Sequence, residues 1–261
     1  MLSFWFLIIT FFAGSQAQCD WTVEVPQKHL TPLHSLSITE TVCHNNIMVL
    51  YDNTIKLPFA TYAIHTQEQM TRLLGGRKDF ILDPLIPNNL QHTPNDTIYH
   101  YPYSRGHLTP SYIMSYNQSV GGPWQETYYI SNILPQELSF NEGAWEKFEM
   151  NVINNLEKQP NGTKWEVYTG GFWNGKYSYK YNQDGNHDTI KDYLFWKAFC
   201  DRKACNSGMI TAFQSGGKIR WSVHPINTFI PGLFPKCCPY NNNLEKWKML
   251  LEGVTQDTVF V

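Results

Sequence analysis

Ser104-Arg105-Gly106-His107, then Tyr129-Ile130-Ser131-Asn132-Ile133-Leu134-Pro135-Gln136, then Asn141-Glu142-Gly143-Ala144-Trp145-Glu146-Lys147-Phe148-Glu149: these three pieces follow one another between positions 104 and 149. The first reads as a short strand around a histidine. Thr127–Asn132 is apolar and β-branched enough for a second strand. From Asn141 to Lys158, Trp145, Phe148, Val152 and Leu156 recur at helical spacing and put one face on a core. Asn141 is placed to cap that helix. The expected unit is strand, strand, helix, carrying one histidine, two asparagines and a glutamate.

Outward from this unit, Ile47–Tyr51 and Pro58–His65 read as an early hairpin. Thr66–Leu74 reads as a short helix stopped by Gly75-Gly76. Arg77–Thr97, rich in Pro, Asn and Asp, reads as a long surface loop of the kind that often carries function. The glycine pairs at Gly121 and Gly170 read as turns. Lys164–Thr169, Tyr193–Phe199 and Met209–Phe213 are expected as later strands, and Leu244–Leu251 as a helix. The class is α+β.

No repeat or Pro/Gly/Ser linker divides the 261 residues, so residues 18–261 are expected to form one domain. The hydrophobic fraction of 42% supports a sizeable core. A formal net charge of -2 argues against a protein that packages nucleic acid, which is normally basic. It leaves room for an enzyme with a local positive cleft.

Residues 1–17 read as a signal peptide. Leu2–Phe12 is almost wholly apolar but short for a membrane span, and Ser15-Gln16-Ala17 offers small residues for cleavage after Ala17. All six cysteines, Cys19, Cys43, Cys200, Cys205, Cys237 and Cys238, lie beyond that point. An even count in an exported chain implies disulfides. The expected pairing is Cys19 with Cys43, and Cys200 and Cys205 with Cys237 and Cys238. A zinc site is disfavoured, since no histidine lies at ligand spacing near them. Asn95-Asp96-Thr97, Asn117-Gln118-Ser119 and Asn161-Gly162-Thr163 are glycosylation sequons. The mature protein is expected outside the cell.

The residue types in the central unit suit phosphodiester cleavage with a hard metal ion. A histidine of near-neutral pKa takes a proton from water. An arginine grips phosphate in a fork, and Gly106 permits close backbone approach. An asparagine oxygen is a neutral hard ligand for Mg²⁺, which keeps several waters. Glu149 lies about two turns beyond Asn141, on the order of 12 Å of rise, so it reaches a metal only through its waters or by a long side chain bridging the turns. Taken singly, the residues have plainer readings. His107 is then a surface or core histidine, Asn141 a helix cap, Glu149 a solvated helix residue and Arg77 a loop charge. Trp124, Tyr128, Trp145, Trp165 and Trp173 are expected in the core, and His44, His92 and His100 at the surface.

In order and spacing, Arg105-Gly106-His107, Ser131-Asn132-Ile133, Pro135-Gln136, Asn141, Trp145 and Glu149 resemble the DNA/RNA non-specific endonuclease family. That family contains the secreted bacterial sugar-non-specific nucleases and mitochondrial endonuclease G. Phe195-Trp196-Lys197-Ala198, the leader and the cysteines look most like its secreted animal branch, the endonuclease-domain-containing proteins. The resemblance implies a ββα-metal (His-Me finger) core within a mixed, mainly antiparallel sheet flanked by helices. It implies cleavage of DNA and RNA with little sequence preference, leaving 5′-phosphates. Carried over, His107 is the general base, Asn141 the direct Mg²⁺ ligand, and Glu149 holds metal-bound water. Asn132 orients the site and Arg105 positions the histidine or the phosphate. The family's upstream arginine is matched by Arg77, with Arg72 and Lys78 as alternatives. One departure stands out: the family's leading aspartate is Ser104 here. An inactive homologue acting as a binding module is the alternative reading.

Overall fold

A computed structural model describes residues 40–70, 78–118, 122–173, 192–215, 218–226 and 244–254. The expected signal peptide, Arg72, Arg77, Cys19, Cys237 and Cys238 lie outside them.

Seven strands form one sheet in the order β1 (Glu40–Cys43), β2 (Ile47–Asp52), β3 (Leu57–Thr66), β6 (Lys164–Trp173), β7 (Asp192–Asp201), β8 (Asn206–Ser215) and β9 (Lys218–His224). Every neighbouring pair is antiparallel. A separate two-stranded ribbon pairs β4 (Tyr103–His107) with β5 (Ile133–Glu137), setting His107 opposite Ile133. Helix α1 (Pro123–Glu126) precedes the ribbon's second strand, α2 (Glu146–Glu157) follows it, and α3 (Leu244–Lys248) comes late in the chain. The order β4, β5, α2 is the ββα unit read from the sequence, and the α+β class holds.

Alternation along β7 explains how the layers join. Phe195 and Phe199 face the core shared with α2, while Trp196, Ala198 and Cys200 face the opposite core. Trp145, Phe148, Val152 and Leu156 of the helical segment all face inward. Trp145 stacks on Trp221 of β9, with ring centroids 6.1 Å apart. Phe199 stacks on Trp247 of α3 at 5.0 Å. The ββα unit therefore lies across one face of the large sheet, fixed by aromatic rings from both sides.

Several local expectations are corrected. Thr127–Asn132 is no strand. The chain leaves α1, makes a single parallel bridge from Tyr129 to Ile81, turns through a 3₁₀ turn at Ile130–Asn132 and enters β5 at Ile133. Ser131 and Asn132 spend their side chains on hydrogen bonds to Asp83, Thr109 and Thr127, a use that competes with strand pairing. Gly170 lies inside β6, where a Cβ would strike the Phe59 carbonyl and the Trp196 ring, so it serves close packing and not a turn. The loop from residue 78 to 97 is anchored as well as exposed, because Phe80, Asp83, Ile86 and Gln91 are buried. Nor is His44 a surface residue. Its Nε2 lies 2.8 Å from Asp83, which also accepts a hydrogen bond from Ser131. This buried set ties the β1–β2 turn, the loop and the 3₁₀ turn together. Of the expected helix at 66–74, the described part is a 3₁₀ turn, Gln67–Met70. Strand β1 is short, and β9 was passed over in the sequence although Ile219, Trp221 and Val223 alternate there with polar residues. Cys43, Cys200 and Cys205 are each disulfide-bonded, and the expected pairing falls on residues outside the described ones.

Candidate active site

His107 ends β4, and the next two residues are held from below by Asn132. The Leu108 amide donates to the Asn132 backbone carbonyl at 2.9 Å. The Thr109 amide donates to Asn132 Oδ1 at 2.8 Å, while Asn132 Nδ2 donates to the Thr109 carbonyl at 2.9 Å. A second bond from Nδ2 reaches the Thr127 carbonyl at 2.9 Å. Thr109 Oγ1 meets Thr61 Oγ1 of β3 at 2.9 Å. Asn132 is thus a buried clip that fixes where the histidine leaves its strand. Gly106 supplies the room beside it, because any Cβ there would collide with the buried Gln136 side chain.

The half-buried imidazole of His107 packs edge-on against Tyr128 and obliquely against Phe80, each with centroids 5.3 Å apart. Arg105, two residues earlier on the same strand, donates to the Pro94 carbonyl at 2.9 Å. Its guanidinium carbon lies 4.9 Å from the centre of the Phe80 ring. Phe80 and Pro94 both belong to the long loop, so that loop sets the direction of the arginine.

Asn141 does not cap its helix. It lies within a π-helical turn, Phe140–Trp145, that leads into α2. Its Nδ2 donates instead across to Ser104 Oγ of β4 at 2.9 Å, and Ser104 Oγ donates to the Gln136 carbonyl at 3.2 Å. The serine that replaces the family aspartate therefore orients the asparagine amide and directs Oδ1 along the other branch.

His107, Arg105, Asn141 and Glu149 line one cleft of about 570 Å³, together with Glu142, Glu146, Tyr112, Trp124 and Tyr128. Glu142, Glu146 and Glu149 stand at successive helical spacing, which gives the cleft an acidic wall opposite the basic strand. Glu149 is mostly buried and pairs with Lys197 of β7, Oε1 to Nζ 3.3 Å. Burial pushes the Glu149 carboxyl up to about 7 against the opposing pull of Lys197. The same burial lowers Lys197.

The structure therefore brings four of the sequence candidates to one cleft and puts Asn132 behind it as a support. Arg77 lies outside the described residues. Of its alternatives, Lys78 sits 4.6 Å over the ring of Trp124, a cleft residue. Sequence reasoning passed over Lys197 as a functional residue, although a lone lysine between Phe195 and Phe199 on an apolar strand was a visible anomaly. A hard cation that keeps most of its waters needs only one or two protein oxygens. Asn141 and Glu149 supply such donors, and no set of three His, Cys, Asp or Glu side chains converges on a metal position among the described residues.

Residues 28–234 match the DNA/RNA non-specific endonuclease family. The chain belongs to that family. Its members are metal-dependent nucleases. Among curated relatives, mitochondrial nuclease EXOG of Danio rerio is 36% identical over 123 residues, covering 46% of this chain and 34% of that protein. The human EXOG nuclease is 31% identical over 117 residues, covering 44% of this chain and 30% of that one. The matched region thus spans about a third of those relatives. A solved EndoG/EndoGI complex, determined for the mechanism of EndoG inhibition, shares the fold with a TM-score of 0.50 at 19% identity. The likeness covers 69% of this chain and 76% of that one.

Proposed function

We propose that the chain is a secreted, Mg²⁺-dependent endonuclease that hydrolyses phosphodiester bonds of DNA and RNA with little sequence preference and leaves 5′-phosphates. Family membership supports the activity. The observation that carries it is the presence of His107, Arg105, Asn141 and Glu149 in a single cleft, the first two on β4, Asn141 in the π-helical turn after β5 and Glu149 on α2 of the ββα unit.

The chemistry divides among these residues. His107, at the end of β4, takes the proton from the attacking water. Arg105, aimed by Pro94 and Phe80, presents its guanidinium to the phosphate. Asn141 and Glu149 would hold the cation by hard oxygen atoms. Bound there, Mg²⁺ supplies Lewis acidity toward the leaving 3′-oxygen. Arg77 is the proposed charge clamp on the phosphate. Secretion rests on the leader-like residues 1–17, the bonded cysteines and the exposure of all three sequon asparagines, Asn95, Asn117 and Asn161.

The test is plasmid nicking by purified mature protein with Mg²⁺, with EDTA, and with His107→Ala. Metal-dependent nicking that disappears in the variant, with unchanged circular dichroism, is the expected result. A folded wild type that cleaves neither DNA nor RNA with any divalent metal sinks the enzyme reading and leaves the binding module.

A further inference from the structure

Lys197 is fully buried in the middle of the large sheet, on the face that carries the ββα unit. The register places it in a cross-strand row with Thr61 and Thr169 on one side and Ile210 on the other. Removing an ammonium from water is costly unless its N–H groups find acceptors. Two acceptors are present, and they come from the two halves of the candidate site. One is Glu149 Oε1 on α2, at 3.3 Å. The other is the Leu108 carbonyl, at 3.3 Å, one residue beyond His107. The ring of Trp145, at the start of α2, lies 5.7 Å from the same Nζ.

We infer that Lys197 is a positioning residue: from behind the cleft, its single ammonium sets the metal-side carboxylate of Glu149 at a fixed place relative to the strand end that carries His107. The inference rests on the assignment of His107 and Glu149 above and extends it to a residue that touches neither cleft nor substrate. A rigid sheet is a suitable base for such a link, because β7 has paired neighbours on both sides. The Leu108 amide is already held by Asn132. Lys197 therefore supplies the complementary bond to the same residue's carbonyl, and that bond alone leads on to α2.

The experiment compares Lys197→Met, Glu149→Gln and the double variant with wild type, using the full mature chain. It reads kcat and KM on plasmid DNA, Mg²⁺ affinity by calorimetry, and thermal unfolding. Lys197→Met is expected to weaken Mg²⁺ binding by about tenfold or more and to lower kcat by a similar factor, with KM for DNA nearly unchanged. In the Glu149→Gln background, the same replacement is expected to leave Mg²⁺ affinity where Glu149→Gln alone puts it. A merely structural lysine lowers the melting point but not Mg²⁺ affinity, so a folded Lys197→Met protein with wild-type Mg²⁺ binding and kcat overturns the inference. An equal loss of Mg²⁺ affinity in both backgrounds does so too. If Lys197→Met alone does not fold, the double variant decides, since it leaves no unpaired buried charge. Affinity matching Glu149→Gln supports the link, and a further loss rejects it. Failure of the underlying assignment looks different: His107→Ala would then cleave like wild type.

Discussion

Residues with similar chemistry divide here into those that face the cleft and those that hold them. Asn141 and Asn132 show the difference. Asn141 lines the cleft, its amide turned by Ser104. Asn141→Ala is expected to raise the Mg²⁺ concentration needed for half-maximal nicking with little change in the melting point, and an unchanged titration would place the ligand elsewhere. Asn132 is buried and saturates its amide on Thr109 and Thr127. Asn132→Ala strands those backbone groups, so it should lower unfolding free energy by about 2–4 kcal/mol, measured in urea. His65 offers a pH test away from the metal ligands. Burial and the charge of Lys197 push its imidazole down from 6.5 to about 3. The unfolded chain accepts a proton near 6.5 while the folded one refuses it until about 3. Stability is therefore complete above 6.5 and is lost as pH falls toward 3, by about 1.4 kcal/mol per unit. Unfolding free energies at pH 7 and pH 5 should differ less in His65→Leu than in wild type by roughly 2 kcal/mol, that slope taken over the interval from 6.5 to 5.

At the scale of elements, the π-helical turn between β5 and α2 is the device that presents Asn141. Gly143 lies in it, and a Cβ there would meet nothing within 4 Å. Gly143→Ala should therefore stabilise the segment by about 0.5–1 kcal/mol with nicking unchanged. A loss of activity would show that the turn needs glycine's freedom and not merely its small size. The sequence made this ββα unit legible because both of its signals are local: helical spacing from Trp145 to Leu156, and a histidine strand set by Gly106. It misplaced the second strand because Ile130 and Ile133 look alike in sequence. What separates them is a distant partner, since Asp83 draws Ser131 into a turn that only the folded loop can supply. Asn141 was read as a cap for the same kind of reason. Its hydrogen-bond partner, Ser104, is 37 residues away. Local pattern thus singled out residues that meet in one cleft, and long-range hydrogen bonds set how each of them is held. Lys197 escaped notice because its role depends on a carbonyl and a carboxylate that reach it from two other elements.

For the whole molecule, charge constrains how substrate is held. Lysines and arginines number 20 against 22 aspartates and glutamates. Arg105 lines the cleft and Lys78 lies over the ring of Trp124, another lining residue; Glu142 and Glu146 line it as well, while Glu149 is paired with Lys197. On the proposed function, nucleic acid is gripped by few cations, and Glu142 and Glu146 repel phosphate unless a divalent ion stands between them. Each phosphate neutralised by a protein cation contributes about -0.9 to the slope of log affinity against log salt on duplex DNA. With Arg105, Lys78 and the proposed Arg77 as the contacts, that slope should be about -2 to -3, measured as KM for duplex DNA against NaCl at saturating Mg²⁺. A slope near -8 would require a broad basic surface outside the cleft. A shallow slope, in contrast, means that the seven-stranded sheet contributes rigidity and not charge. The ββα unit would then hold its substrate mainly through the metal and two or three arginine and lysine contacts, which is how a protein of net charge -2 can act on a polyanion and still release it.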